Sequence, residues 1–258
     1  EIYDVLDWLI ATAAEYDLRV LPEVHDVPLT HVKLSARGDW TYDFVLPGLL
    51  LNAFERRDAT RLAEHLAASP GRQFTTLDCH DGIPVRPDLE GILSFAEMSV
   101  LAEGVVGGGG NVNRILGDAG DGPDVHQLNC TYYSALGADD DRYLAARAIQ
   151  LFARGVPQLY YVGLLAGEND LEAVERTGEG RAINRHDYTT EEIEVALARP
   201  VVQRILELVR LRRDHPAFDG ELEVSVEDNA LLRMTWFSGA DVAELVADLD
   251  SGALEIVV

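Results

Sequence analysis

Lysine is all but missing from this chain: Lys33 is the only one, so arginine supplies nearly all the positive charge. Basic residues as a class are scarce, 21 Lys and Arg against 45 Asp and Glu, for a formal net charge of -24. Nucleic acid and anionic membrane surfaces both need a basic footprint, and this balance argues against either as a partner. An acidic, lysine-poor surface suits a high-salt cytoplasm, where screening relaxes self-repulsion; arginine codon bias in a GC-rich bacterial genome would give the same composition. Cysteine is scarce too. Cys79 and Cys130 suggest no disulfide framework, which points to a reducing, cytoplasmic setting and leaves the glycosylation-like Asn129-Cys130-Thr131 a chance match. No apolar run approaches the length of a membrane span, and no signal peptide is expected. The chain also lacks a Gly-x-Ser-x-Gly elbow, a phosphate-loop Gly-Lys-Ser/Thr ending and any helical His-to-His or cysteine pair for zinc.

What is present is ordinary globular composition, 47% hydrophobic over 258 residues, enough for one large domain or a core with a small appendage. Ile2, Val5, Leu6, Leu9, Ile10 and Ala13 recur at helical spacing. RVLPEV then reads as a short strand ending at Glu23, WTYDFVLPGLLL as a second apolar run, RDATRLAEHLA as a helix and QFTTLDCHD as a third strand. From Gly82 to about Thr131 the pattern is irregular, and VVGGGGNVN reads as a loop. DDDRYLAARAIQLFA is a helix with acids at its start, PQLYYVGLL a strand, and RPVVQRILELVRLRR a helix striped by Val202, Ile205, Leu206 and Val209. After HPAFDG the period becomes two, with Leu222, Val224 and Val226 and then Leu232, Met234 and Trp236 on one face. Repeated β–α units call for a parallel sheet with covering helices, and the alternating tail for a separate, small antiparallel domain.

The stretch FTTLDCHDGIPV sets Asp78, Cys79, His80 and Asp81 at the end of an apolar strand. Burying a carboxylate is costly unless it is paired. Asp-Gly is also common turn chemistry, so turn and active site both stay open on these four residues alone. In a parallel α/β barrel the strand C-termini carry the reacting groups. Glu23 and Asp81 both sit at such ends, and two carboxylates facing one cleft suit glycoside chemistry.

The segments LPEVH, LDCHDGI, DVHQLNCTYYSALG, GVPQLYYVGLLAGENDLE and EGRAINRHDY, in this order, resemble the second half of sucrose phosphorylase, in the α-amylase-type clan of retaining α-glycosidases. The resemblance implies an α/β fold: the second half of a (β/α)8 TIM barrel with an inserted subdomain and a small C-terminal antiparallel β domain. Its implied divisions are barrel strands and helices over 1–82, the insertion and acceptor loop over 83–135, the end of the barrel over 136–216 and the β domain over 217–258. It matches Glu23 to the general acid/base and Asp81 to the transition-state stabiliser. His80 and Arg181 match glucose-subsite residues, and Asp124, His126 and Gln127 fall in a loop serving acceptor and phosphate in turn. The implied partners are sucrose or a related α-glucoside and inorganic phosphate, without metal or cofactor; a homodimer is among the assemblies allowed.

Two departures stand out. The family's nucleophilic aspartate lies on the strand before that of Glu23, so the chain reads as a fragment of a longer protein, inactive by itself. His126 stands where sucrose phosphorylases typically carry Tyr, so sucrose 6′-phosphate, glucosylglycerate and glucosylglycerol phosphorylases remain alternatives, as does a non-catalytic amylase-like scaffold. Elsewhere plain readings apply: Cys79 as packing, Tyr160 and Tyr161 as barrel wall, Asp139 to Asp141 as a helix start and His215 as a helix terminator.

Overall fold

The computed structural model describes residues 2–37, 40–114 and 125–258. Helix α1 (Ile2–Ala14) forms where the apolar spacing predicts it. RVLPEV does not become a strand: residues 18–25 have no regular structure before α2 (Pro28–Ala36) begins. Pro22 has no N–H to give a ladder, and no described strand pairs with the segment. The WTYDFVLPGLLL run divides into β1 (Thr41–Asp43) and α3 (Leu46–Arg56). The Asp43 carboxylate marks the break by accepting the Leu46 N–H at 3.1 Å, and Pro47 fits the first turn of the helix. Every residue from Leu46 to Phe54 is buried, which makes α3 a central helix rather than a half-solvated one.

Helix α4 (Thr60–Ala68) leads into β2 (Gln73–Thr76). Strand β2 pairs in parallel with β1 on one side and β6 (Val156–Gln158) on the other. Between β2 and β6 the chain leaves this sheet. The region expected to be irregular instead builds a second sheet, with β3 (Ile83–Pro84) and β4 (Asn111–Arg114) both antiparallel to β5 (Val125–Asn129). These strands are too short to show a period of two. Helix α5 (Phe95–Gly107) opens with a Ser94/Glu97 capping box and ends inside the run expected to be a loop. Gly109 at φ +85° provides the left-handed stop, and Asn111 then enters β4.

The short α6 (Tyr132–Ala135) precedes α7 (Asp140–Phe152), where Asp139 accepts N–H groups from Asp141 and Arg142 at 2.9 and 3.0 Å. Residues Tyr143 to Phe152 of α7 are all buried. The PQLYYVGLL run is a strand only in its β6 portion; its remainder turns into α8 (Tyr161–Leu164). Helices α9 (Leu171–Thr177), α10 (Thr190–Leu197) and α11 (Pro200–Asp214) follow, with a 3-10 turn over Gly180–Asn184. On α11 the stripe also includes Leu208, more buried than Leu206 or Val209. His215 ends the helix as expected, its ring accepting the Ala217 N–H at 3.3 Å.

The tail is a four-stranded antiparallel meander, β7 (Glu221–Asp228), β8 (Leu231–Ser238), β9 (Asp241–Asp248) and β10 (Leu254–Val257). Its inner face continues the core of α3, α4 and α7 without a break. Trp236 Nε1–H donates to the Phe152 carbonyl at 2.7 Å, and Arg154 donates to the Leu222 carbonyl at 2.9 Å, tying the meander to the end of α7.

Candidate active site

Asp78 and Asp81 both follow β2, and their surroundings differ completely. Asp78 turns inward. Its Oδ2 receives Arg147 Nη2–H at 2.5 Å, and the Arg147 side chain is wholly buried. Tyr143 and Gln150 take further Arg147 donors, and Gln150 Nε2 donates to the carbonyls of Thr75 and Gln158, bridging β2 to β6. Gly163 is required where this network meets α8: a Cβ there would lie 1.9 Å from Asp78 Oδ2.

Asp81 turns the other way, toward Arg181 and Glu23. Arg181 Nη1–H reaches its Oδ1 at 2.8 Å, with Arg185 at 3.6 Å and His80 Nε2 at 3.7 Å. Arg181 also donates to Gln127 Oε1 at 3.1 Å, joining the 3-10 turn to β5. Asn184 secures the backbone by donating to the carbonyls of Cys79 and Asp81 at 3.2 and 2.9 Å. The His80 side chain remains 63% exposed at the rim.

Glu23 enters from the segment before α2, its side chain 45% exposed. Glu23, His25 and Asp81 bring one polar atom each within 4.8 Å of the others. His25 lies flat on Phe44, ring centroids 4.2 Å apart, and its Nδ1 meets the fully buried Asp88 at 3.2 Å. Burial works to lower the His25 pKa, but the Asp88 hydrogen bond and charge, with Glu23 and Asp81, outweigh it and raise it above its ordinary value. Burial likewise opposes ionisation of Asp88, yet His25 and His31 hold its pKa below the usual carboxylate range.

His126 on β5 donates Nδ1–H to the Arg86 carbonyl at 2.7 Å; a carbonyl can only accept, so Nε2 is the nitrogen left to face a ligand. Its ring edge lies 6.0 Å from His25. Thus Glu23, His80, Asp81, Gln127 and Arg181 form one connected cluster of side chains, which His126 joins through His25, while Asp124 lies outside the described residues. His25, Asp88, Asn184 and Arg185 belong to the same constellation, although sequence reasoning did not single them out. His25 stood two residues after Glu23, a visible signal, whereas Asp88 had none beyond its place in a turn.

The plain readings can also be placed. Burial pushes the Cys79 thiol up to about 11, which makes it an unreactive packing group. Tyr161 is 42% exposed and donates to the His186 carbonyl at 2.9 Å. A separate cavity of about 690 Å³, lined by residues including Asp170, His186 and Tyr188, includes none of the cleft carboxylates in its lining.

The arrangement offers an acid next to a caged carboxylate, with donors on both sides. No protein-family model matches the chain. It is 48% identical over 252 residues to the sucrose 6(F)-phosphate phosphorylase of Thermoanaerobacterium thermosaccharolyticum, covering 96% of this chain and 52% of that protein. It is 41% identical over 266 residues to the sucrose phosphorylase of Agrobacterium vitis, covering 99% and 54%. The crystal structure of sucrose 6F-phosphate phosphorylase from Thermoanaerobacter thermosaccharolyticum superposes with a TM-score of 0.96 at 46% identity, over 99% of this chain and 52% of that one. The chain spans about half the length of the curated relatives it matches. It folds as the second half of a (β/α)8 barrel with an inserted subdomain and a C-terminal antiparallel sheet. In sequence and fold, this chain resembles the C-terminal half of the sucrose phosphorylases and their close relatives.

Proposed function

We propose that the protein containing this chain is a retaining α-glucosyl phosphorylase, transferring glucose from a sucrose-type α-glucoside to inorganic phosphate to give α-glucose 1-phosphate. The observation that carries this reading is the placement of Glu23 beside an Asp81 that Arg181 grips at 2.8 Å. Glu23 protonates the departing sugar oxygen and then takes the proton back from the incoming phosphate. Asp81, paired with Arg181, faces the oxocarbenium-like sugar and stabilises its positive charge. His80 at the rim and Arg181 hold the glucosyl hydroxyls. Asp124, His126 and Gln127 receive the leaving sugar and the phosphate in turn.

A covalent intermediate needs a nucleophilic carboxylate, which we assign to the half of the protein that the relatives carry beyond this chain. The free thiols of Cys79 and Cys130 suit a reducing, cytoplasmic location.

A second reading, with sucrose 6′-phosphate as the donor, is favoured by His126. Its Nδ1 is engaged by the Arg86 carbonyl, which supports a reading in which Nε2 meets an acceptor phosphate, where Tyr could not offer positive charge. The complete gene product, incubated with phosphate and either donor, should release glucose 1-phosphate; release of free glucose alone would make it a hydrolase. In His126→Tyr any preference for the phosphorylated donor should shrink by about 10–150-fold, the scale of one charge-assisted hydrogen bond. An unchanged preference removes His126 from acceptor selection.

A further inference from the structure

Asp88 is fully buried. It sits in the turn after β3, which is anchored by Leu89: its N–H donates to the Val85 carbonyl at 2.9 Å, and its side chain packs against Gly48 of α3. The carboxylate is held between two imidazoles. Oδ2 accepts His25 Nδ1–H at 3.2 Å, and Oδ1 lies 3.7 Å from His31 Nε2. His31 is fixed in turn, since its Nε2 donates to the Asp26 carbonyl at 3.2 Å.

The consequence falls on His25. Its face is taken by Phe44, its Nδ1 by Asp88 and one edge by His126. Its Nε2 therefore points toward Glu23, 3.9 Å from Oε1. That atom is buried and has no hydrogen-bond partner among the described residues. A buried polar atom left unpaired is unfavourable, so a substrate oxygen arriving beside Glu23 is the partner it lacks.

We propose that Asp88 is a positioning residue for glucosyl transfer, holding His25 so that Nε2–H meets the oxygen to which Glu23 gives, and from which it takes, the proton. This rests on the reading of Glu23 as acid/base. An imidazole bound through Nδ1–H to a carboxylate keeps one tautomer and one orientation, and the carboxylate favours its protonated form. The charged groups facing His25 are Asp88 from the turn, Glu23 from its own segment and Asp81 from the loop after β2, with His126 from β5 and His31 behind Asp88. Burial alone would lower the His25 pKa; these carboxylates reverse that, so both ring nitrogens hold protons to a higher pH.

The test uses the complete gene product, labelled with 15N, as wild type and as Asp88→Asn. Long-range 1H–15N spectra of His25 should show Nδ1 protonated throughout and Nε2 titrating above the ordinary histidine range. In Asp88→Asn the titration should move to lower pH, and the alkaline limb of kcat/KM should move with it. Between the two limbs, where only the wild type keeps Nε2–H, sucrose turnover of Asp88→Asn should fall about 10–150-fold, the scale of one hydrogen bond to a charged group. Turnover of α-glucosyl fluoride, whose leaving group needs little help, should fall far less; a merely structural defect would lower both alike. Identical His25 titrations and pH limbs in the two proteins would overturn the proposal. Should Asp88→Asn not fold, the wild-type spectrum decides: a His25 with bare Nδ1, or one titrating below 6.5, overturns it. A wild-type protein that makes no glucose 1-phosphate removes the phosphorylase reading, while the His25 titrations still decide whether Asp88 holds the ring.

Discussion

Asp78 and Asp81 leave the same strand three residues apart and end in opposite situations. Asp78 is 8% exposed, Arg147 opposite it is fully buried, and the pair bridges strands through Gln150. Asp81 meets arginines that stay more than one-third exposed and lies beside Glu23. Both are salt-bridged aspartates, so pairing by itself does not mark a functional acid. The difference is where the partner sits. Arg147 closes Asp78 into the core, whereas Arg181 holds Asp81 beside the half-exposed Glu23.

The strongest way to sharpen the comparison is to disable the cleft without touching the core. In the complete gene product Glu23→Gln should cut sucrose turnover by about 10²–10⁴-fold, the range of a general acid. α-Glucosyl fluoride should lose far less. Asp81→Asn should damage both donors, since both pass through the same cationic sugar, with stability changed by about 1 kcal/mol or less. Steady-state kinetics on the two donors separate these roles, and equal losses in Glu23→Gln would take the acid role away from Glu23.

The converse experiment breaks the buried pair. Arg147→Met leaves the Asp78 carboxylate buried without its cation and should cost about 3–5 kcal/mol in denaturant unfolding. Replacing both partners with apolar residues should recover much of that loss, because the uncompensated charge is then gone. A Glu23→Gln protein with unaltered unfolding beside a crippled Arg147→Met protein is the expected contrast. If Arg147→Met unfolds like the wild type, the inward pair contributes no more than the outward one.

A smaller effect tests a third carboxylate, Asp43, which pairs with His65 of α4 at 2.9 and 3.0 Å. Burial opposes the charge on each. For Asp43 the His65 charge and hydrogen bond, with the Leu46 N–H, outweigh it and lower the pKa; for His65 the Asp43 charge raises it. The Asp43 contribution is present above its unfolded pKa of about 4 and is lost as pH falls through its lower folded value. The His65 contribution is present below its unfolded pKa of about 6.5 and is lost as pH rises through its higher folded value. Stability from the pair is therefore greatest between about pH 4 and 6.5. Melting curves across pH should show a gap between wild type and His65→Gln that narrows toward both acid and alkali; a constant gap would mean that packing, not charge, holds the pair.

The helices legible in the sequence, α1, α4, α7 and α11, have local signals: an apolar spacing in α1, Asp139 capping α7 and Pro200 starting α11. The Ser94/Glu97 and Thr189/Glu192 boxes that open α5 and α10 are local too, yet neither helix was expected, α5 lying in the region whose pattern looked irregular. The β7 and β8 alternation was readable for the same reason: eight-residue strands repeat their period often enough to show it. Strands of two to five residues do not, so the β3–β5–β4 sheet was invisible and its helix stop looked like a loop. RVLPEV had the composition of a strand, but a strand also needs a neighbour, which composition cannot supply.

The site divides along the same line. Sequence alone determined which residue types were available: Glu23 after an apolar run, His80 and Asp81 before a glycine, and Arg181 in a motif that matches the family's. These are properties of short segments, readable at their own positions. Tertiary structure alone decided that Asp81 faces Arg181 across 100 residues, that Asp78 turns to Arg147 across 69, and that His25 meets Asp88 across 63. Each of those choices depends on distant elements arriving at one place, and electrostatic pairing acts over a few ångströms of space, not along the chain.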